Sequence, residues 1–184
     1  MALTDDIEAS GEALVYNKGA IIFRQGEADP HLYLVQKGFL KAYYLTENGK
    51  EYIKTFVLEK GFIGSSNAYR HPQTGCTFTL VCLERSHLVR LKYADLLDIV
   101  QQTPARSLAL INMLIDVIAK KERREFEFLC LSAEERYQQI LNNTPELLKR
   151  ATQNDIARYL GITPVALSRI RSRMTGNSSS PLMT

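Results

Sequence analysis

The stretch TQNDIARYLGITPVALSRIRSR, residues 152–173, decides how this chain is read. Thr152 can cap a helix over QNDIARYL, its hydroxyl taking one of the free N–H groups at the helix start. Gly161 breaks that helix at a position where a left-handed backbone turns the chain sharply. Thr163 caps a second helix, and Pro164 suits its first position because no N–H is needed there. Ile156, Ala157, Leu160, Ile162, Leu167 and Ile170 fall on the inward faces, and Ala157 is small where the two helices cross. Thr163, Val165, Ser168, Arg169 and Ser172 are left along the outer face of the second helix, with Arg171 and Arg173 beside them. Thr152 and Gln153 stand at the start of the first. This is the pattern of a helix-turn-helix, whose second helix enters the major groove of DNA.

Charge supports the same reading. The chain of 184 residues carries a formal net charge of +3, which says little until it is divided. From residue 150 onward there are five arginines (150, 158, 169, 171, 173) against one acid, Asp155, whereas residues 1–149 hold 18 bases and 19 acids. The positive excess therefore sits wholly in the tail, where a polyanion would be held. The opening MALTDDIEAS is acidic and has no apolar core segment, so no secretory signal is read. The apolar run LALINMLIDVIA (108–119) carries Asp116 and is too short to cross a bilayer. The expectation is a cytoplasmic protein with no membrane partner. Cys76 and Cys82, if on one strand, would lie about 20 Å apart, beyond disulfide reach. With Cys130 they are read as buried thiols.

Residues 12–91 read as β structure. LVY, AIIF, HLYLV, FLKAYYL, EYIKTFV, FTLVCL and HLVRL are separated by turn residues, and E-N-G-K (47–50) predicts a hairpin with a type I′ turn. So many short strands suggest a jelly roll rather than a βαβ fold. YADLLDIVQQ predicts a short helix. Pro104 opens a longer one to about Cys130, whose Leu108, Ile111, Ile115 and Ile118 follow the 3,4,3 spacing of a coiled-coil seam. Ser132-Ala-Glu-Glu135 is a capping box opening a further helix. The expected organisation is α+β: a β-roll over 1–103, a dimerisation helix and hinge over 104–131, a helix-turn-helix domain over 132–175, and a low-complexity, disordered tail over 176–184.

Together these features resemble the Crp/Fnr family of bacterial transcription factors. The likeness covers residues 12 to 173. It rests on YNKGAIIFRQGEADPHLYLVQKGFLKAYYLTENGKE with its spaced glycines, on GFIGSS, and on FLCLSAEER leading into the helix-turn-helix. The resemblance implies a double-stranded β-helix sensor of cyclic-nucleotide-binding type, a homodimer, and a two-fold symmetric site on double-stranded DNA. An activator of this kind would also touch RNA polymerase. It implies base and phosphate contact by Arg169 and phosphate contact by Thr152 and Thr163. It implies that Val165 replaces a glutamate able to accept from cytosine N4, so the half-site is left unspecified.

The resemblance also locates the nucleotide pocket and shows where this chain departs from it. Gly64 with the backbone of 64–66 can form the anion-binding helix start, so Gly64, Ser65 and Ser66 are pocket candidates. Ser65 stands where the family has a ribose-binding glutamate. Gly75 stands where it has the phosphate-binding arginine, and Cys76 where a serine follows. Ala119 and Lys120 align with the hydroxyl pair that reads adenine. With these contacts missing, cyclic AMP is not an expected ligand, since a buried phosphate would lack its counter-charge. An iron–sulfur cluster needs four cysteines and the chain has three, none before Cys76. A cupin-type enzyme needs about three clustered histidines, and His31, His71 and His87 form no HxH pair. No cofactor and no enzymatic activity are expected. Two readings stay open for the roll: an unknown small ligand, or a shell that only supports the dimer. The alternative for the whole chain is a ligand-binding roll with weak or lapsed DNA binding.

Overall fold

A run such as LYLV (32–35), apolar at four successive positions, needs a strand covered on both faces. The computed structural model, which describes residues 3–177, supplies both covers. The chain forms two units, 1–124 and 125–184. The first contains α1 (Leu3–Ser10), β1 (Glu12–Tyr16), β2 (Ile21–Phe23), β3 (His31–Lys37), β4 (Leu40–Leu45), β5 (Glu51–Val57) and β6 (Phe62–Gly64). It continues with α2 (Ser66–Arg70), β7 (Thr79–Cys82), β8 (Ser86–Lys92), α3 (Tyr93–Gln101) and α4 (Pro104–Cys130), the last of which ends in the second unit. The second adds α5 (Ala133–Asn143), α6 (Pro145–Arg150), α7 (Gln153–Leu160) and α8 (Pro164–Asn177). Of the tail expected to be disordered over 176–184, residues 176 and 177 instead belong to α8, and the rest lies outside the described residues.

The strands form two antiparallel sheets, ordered β1-β8-β3-β6 and β2-β7-β4-β5. Tyr33 and Val35 of β3 point between the sheets, where they meet Phe23, Leu40, Ala42, Phe78, Leu80 and Leu88. Leu32 and Leu34 point the other way, into a second core with Leu3 and Ile7 of α1 and Leu96, Ile99 and Val100 of α3. One strand thus serves two cores, and each fully buried large apolar side chain contributes about 1.5–3 kcal/mol. The fold is the expected α+β jelly roll followed by a helix-turn-helix.

Three local expectations are corrected. The β4–β5 turn is not type I′, because only Gly49 of the pair Asn48–Gly49 has positive φ (78°). Residues 47–49 form a three-residue loop, with the Gly49 N–H donating to the Thr46 carbonyl and the Thr46 N–H to that of Lys50. This is a type I turn with a left-handed glycine, and the Thr46 hydroxyl, donating to Asn48 Oδ1, holds the wider loop. Cys76 precedes β7 instead of sharing it. Cys130, at the end of α4, is exposed rather than buried. The structure also adds β6 and α6, and the helix α1, which the acidic N-terminal stretch did not suggest, while α2 begins where a helix start was expected at 64–66.

α1 is tied down by Asp6, which accepts from Arg106 Nε at 2.8 Å and from Nη2 at 2.6 Å. In the second unit Arg136 performs a similar task. Its guanidinium donates to the carbonyls of Leu131 (2.5 Å) and Glu127 (3.3 Å), at the end of α4, and to that of Leu160 (2.9 Å), at the end of α7. It also lies 4.8 Å from the Phe128 ring centre. A cation at helix C-termini satisfies carbonyls that have no helical partner. Below it Ile156, Ala157, Leu160, Leu167 and Ile170 are buried as expected, while Ile162 is only partly so.

Two predictions follow from these anchors. The hydrogen bond from Arg106 holds the Asp6 carboxyl below its ordinary value of 3.8. A depressed folded pKa gives stability that is present above the unfolded value and lost as pH falls through the folded one. Asp6→Asn should therefore lower the thermal midpoint at pH 7 and flatten its decline below about pH 4; identical declines would contradict the anchor. Gly161 has φ 73°, and a Cβ there would stand 3.0 Å from the Phe128 ring. Gly161→Ala should cost about 1–2 kcal/mol in denaturant unfolding, and an unchanged midpoint would count against it.

Candidate functional site

The helix-turn-helix is built from caps that the sequence names. The Thr152 hydroxyl accepts from the Asp155 N–H at 3.1 Å and donates to Asp155 Oδ2, fixing the start of α7. The Thr163 hydroxyl accepts from the Ala166 N–H at 3.2 Å, fixing the start of α8. Between them Gly161 ends α7 in the left-handed conformation, its N–H donating to Ala157 and Arg158 carbonyls. Burial of Leu167 and Ile170 then turns the opposite face of α8 outward.

That face carries Thr163, Val165, Ser168, Arg169 and Ser172, all exposed, Val165 by 61%. The Ser172 hydroxyl donates to the Ser168 carbonyl at 3.1 Å. Arg169 has no hydrogen-bond or ion-pair partner among the described residues, so its guanidinium is available to a ligand. Arg171 is exposed as well. Arg173 is exposed but forms an ion pair with Glu134 at the start of α5 (2.7 Å), so it is less free than its spacing suggested. Thr152 and Gln153 are exposed at the N-terminus of α7. Sequence spacing thus brings all eight residues to exposed positions around the two helix starts and the outer face of α8.

The pocket candidates are brought together only in part. Ser65, 1% exposed, caps α2 by accepting from the Ala68 N–H, so it is spent on a five-residue helix. Burial pushes the nearby Cys76 thiol upward, and Ser65 opposes that rise. A Cβ at Gly75 would collide with the Gly26 carbonyl, so no arginine can stand there. Gly64 is equally tight: a Cβ would lie 2.5 Å from the His31 carbonyl and 2.6 Å from the Tyr93 hydroxyl. Ser66 and Arg70 are exposed. Phe23 fills the interior against Tyr33 and Phe78, with ring centres 6.1 and 5.3 Å away. Asp29 is likewise occupied, accepting from the Tyr33 hydroxyl and the His31 N–H and pairing with His31 Nδ1 at 2.8 Å.

On α4 the expected pair, Ala119 and Lys120, is exposed. It is Arg124 that reaches the roll, donating to the Ile53 carbonyl at 3.5 Å. Lys54, which the sequence did not single out, lies within the influence of Arg124 and Lys121. Strand alternation could not find it. Ala42 pairs with Thr55 and Tyr43 with Ile53, so Lys54 is the extra residue of a β-bulge, which re-aims a side chain.

Comparison with known proteins agrees with this architecture. Residues 13–103 match the family model of the cyclic nucleotide-binding domain. Over 96% of its length the chain is 26% identical to the transcriptional activator protein Anr of Pseudomonas protegens, of which it spans 75%. Over 85% it is 26% identical to the fumarate and nitrate reduction regulatory protein of Vibrio cholerae, of which it spans 66%. The structure of FixK2 from Bradyrhizobium japonicum superposes with a TM-score of 0.77 at 19% identity, covering 95% of this chain and 89% of that one. The family model and the relatives, which are transcriptional regulators, together indicate a regulator of the Crp/Fnr family.

Proposed function

We propose that the chain is a homodimeric regulator that reads a two-fold symmetric DNA site through α7 and α8, under a roll that does not take cyclic AMP. The observation that carries the DNA reading is Arg169, exposed and unpartnered on the outer face of α8, between the capped helix start at Thr163 and Arg171. There it can grip guanine O6 and N7 together. The N-termini of α7 and α8, with Thr152, Gln153 and Thr163, suit phosphates, and Val165 suits a thymine methyl.

The dimer rests on α4. None of its 27 residues is buried. Leu108, Ile111, Leu114, Ile115 and Ile118 are between 47% and 61% exposed, a stripe that a second copy of the helix would cover. Two-fold pairing would set the recognition helices about one DNA turn, roughly 34 Å, apart. A change in the roll, passed along α4 toward FLCLS (128–132), would alter that spacing. RNA polymerase is the further partner if the output is activation. A cytoplasmic setting fits a DNA ligand, and among the described residues no helix is long and apolar enough to cross a membrane.

Against cyclic AMP stand the closed space at Gly75, the occupied Ser65 and the thiol at Cys76. A phosphate placed there would displace internal hydrogen bonds and gain no cationic partner, at a cost of about 1.5–3 kcal/mol for each lost charge-assisted contact.

Fluorescence anisotropy with DNA from upstream of its own gene, at two salt concentrations and with and without cyclic AMP, tests this reading. Tight, sequence-dependent binding that ignores the nucleotide is expected. Binding that requires the nucleotide would overturn the pocket reading, and binding indifferent to sequence would support lapsed specificity. Arg169→Ala should weaken specific binding by about 5- to 150-fold while leaving the unfolding midpoint unchanged; equal loss on random DNA would reduce Arg169 to a phosphate contact. Ile111→Glu with Ile115→Glu should yield monomers in analytical ultracentrifugation, and persistent dimers would place the interface elsewhere.

A further inference from the structure

The outer side of α8 carries two arginines in unlike states. Arg173 follows Arg169 by four residues, so the two share one face a turn apart. Arg169 has no hydrogen-bond or ion-pair partner among the described residues. Arg173 is held: its Nη2 lies 2.7 Å from Oε2 of Glu134, with the two side chains 64% and 45% exposed. The backbone beneath that carboxylate is firmly set. Glu134 stands in the first turn of α5, whose start is closed by the Ser132–Glu135 capping box. Two residues on, Arg136 binds the carbonyls of Leu131 and Leu160. The carboxylate also sits where the dipole of α5 favours negative charge. A fixed acid thus borders the basic face of α8.

For the fold this pair does little, because an ion pair so exposed contributes only slightly to stability. For a polyanion it counts twice. The carboxylate cancels the charge of Arg173, and it repels any phosphate that approaches the same guanidinium. We propose that Glu134 is a positioning residue that restrains DNA binding: it keeps Arg173 on α5, and a backbone phosphate must displace it to gain the arginine. The proposal rests on the reading of α8 as the DNA-reading helix. It adds a residue outside α7 and α8 to the set that fixes affinity. It also divides the two arginines by task, with Arg169 open to bases and Arg173 released to a phosphate only in exchange for Glu134.

The test is fluorescence anisotropy of the full chain, on DNA from upstream of its own gene and on a random duplex, over a series of salt concentrations. Glu134→Gln should tighten binding by about 3- to 10-fold at low salt. The fall of log affinity with log salt should steepen by about 0.9, the value for one more phosphate neutralised. A phosphate contact carries no sequence information, so the gain should be equal on both duplexes. Arg173→Ala should cancel both gains, and it should weaken Glu134→Gln more than it weakens the natural chain. Glu146→Gln removes a carboxylate from an exposed pair of the same kind, 3.6 Å from Lys149, and should leave binding unchanged. The restraint is overturned if Glu134→Gln leaves affinity and slope as they were or lowers them, or if Glu146→Gln has the same effect. It is equally overturned if the gain survives Arg173→Ala or is confined to the specific duplex. Failure of the DNA reading has a different signature: neither the natural chain nor Glu134→Gln would bind either duplex, and the restraint would fall with it.

Discussion

The longest helix of the chain, α4, packs Ala109 and Leu110 against the roll but leaves an apolar stripe that its own fold does not cover. α4 runs for 27 residues without burying one of them. Helices gain most of their stability from packing an apolar face, not from propensity. A stripe of leucine and isoleucine left in water is therefore an unfinished structure, and a second copy is its simplest completion. Both ends of the helix are held by polar anchors of different kinds. Near the start, Arg106 grips Asp6 and the Ser107 hydroxyl donates to the Val100 carbonyl at 2.7 Å. At the far end Arg136 collects the last carbonyls of α4 together with one from α7.

At the end of the roll that carries Ser65, Gly75 and Cys76, the polar groups of Ser65 and Asp29 have internal partners. Ser65 serves α2, and Asp29 serves His31 and Tyr33. Replacing such satisfied contacts by a ligand gains little, because each protein hydrogen bond lost must be matched by one formed.

What could be read in the sequence was what is local. Caps at Thr152, Thr163 and Ser132, the left-handed Gly161 and the proline at 164 act over three or four residues, so their spacing alone specified α5, α7 and α8. Alternation likewise marked most strands. The features that escaped depend on distant partners. α1 is short, and its Leu3 and Ile7 matter only because α3 and the β-sheet lie beside them. The bulge that aims Lys54 arises from the register between β4 and β5, which periodicity within β5 cannot reveal. The aligned pair on α4, Ala119 and Lys120, missed the residue that contacts the roll, because a few residues along a helix rotate a side chain to another face. Arg136 looked like one more charge in SAEER, and its role appears only when α4 and α7 place their carbonyls around it.

The most direct test of the central claim is selection of bound sequences from a random pool of double-stranded DNA by the full-length protein, without added ligand. The account predicts enrichment of an inverted repeat with half-site centres about 10–11 base pairs apart, as a two-fold dimer with one recognition helix per half-site requires. Enrichment of a single unrepeated element, or none above the starting pool, would contradict it.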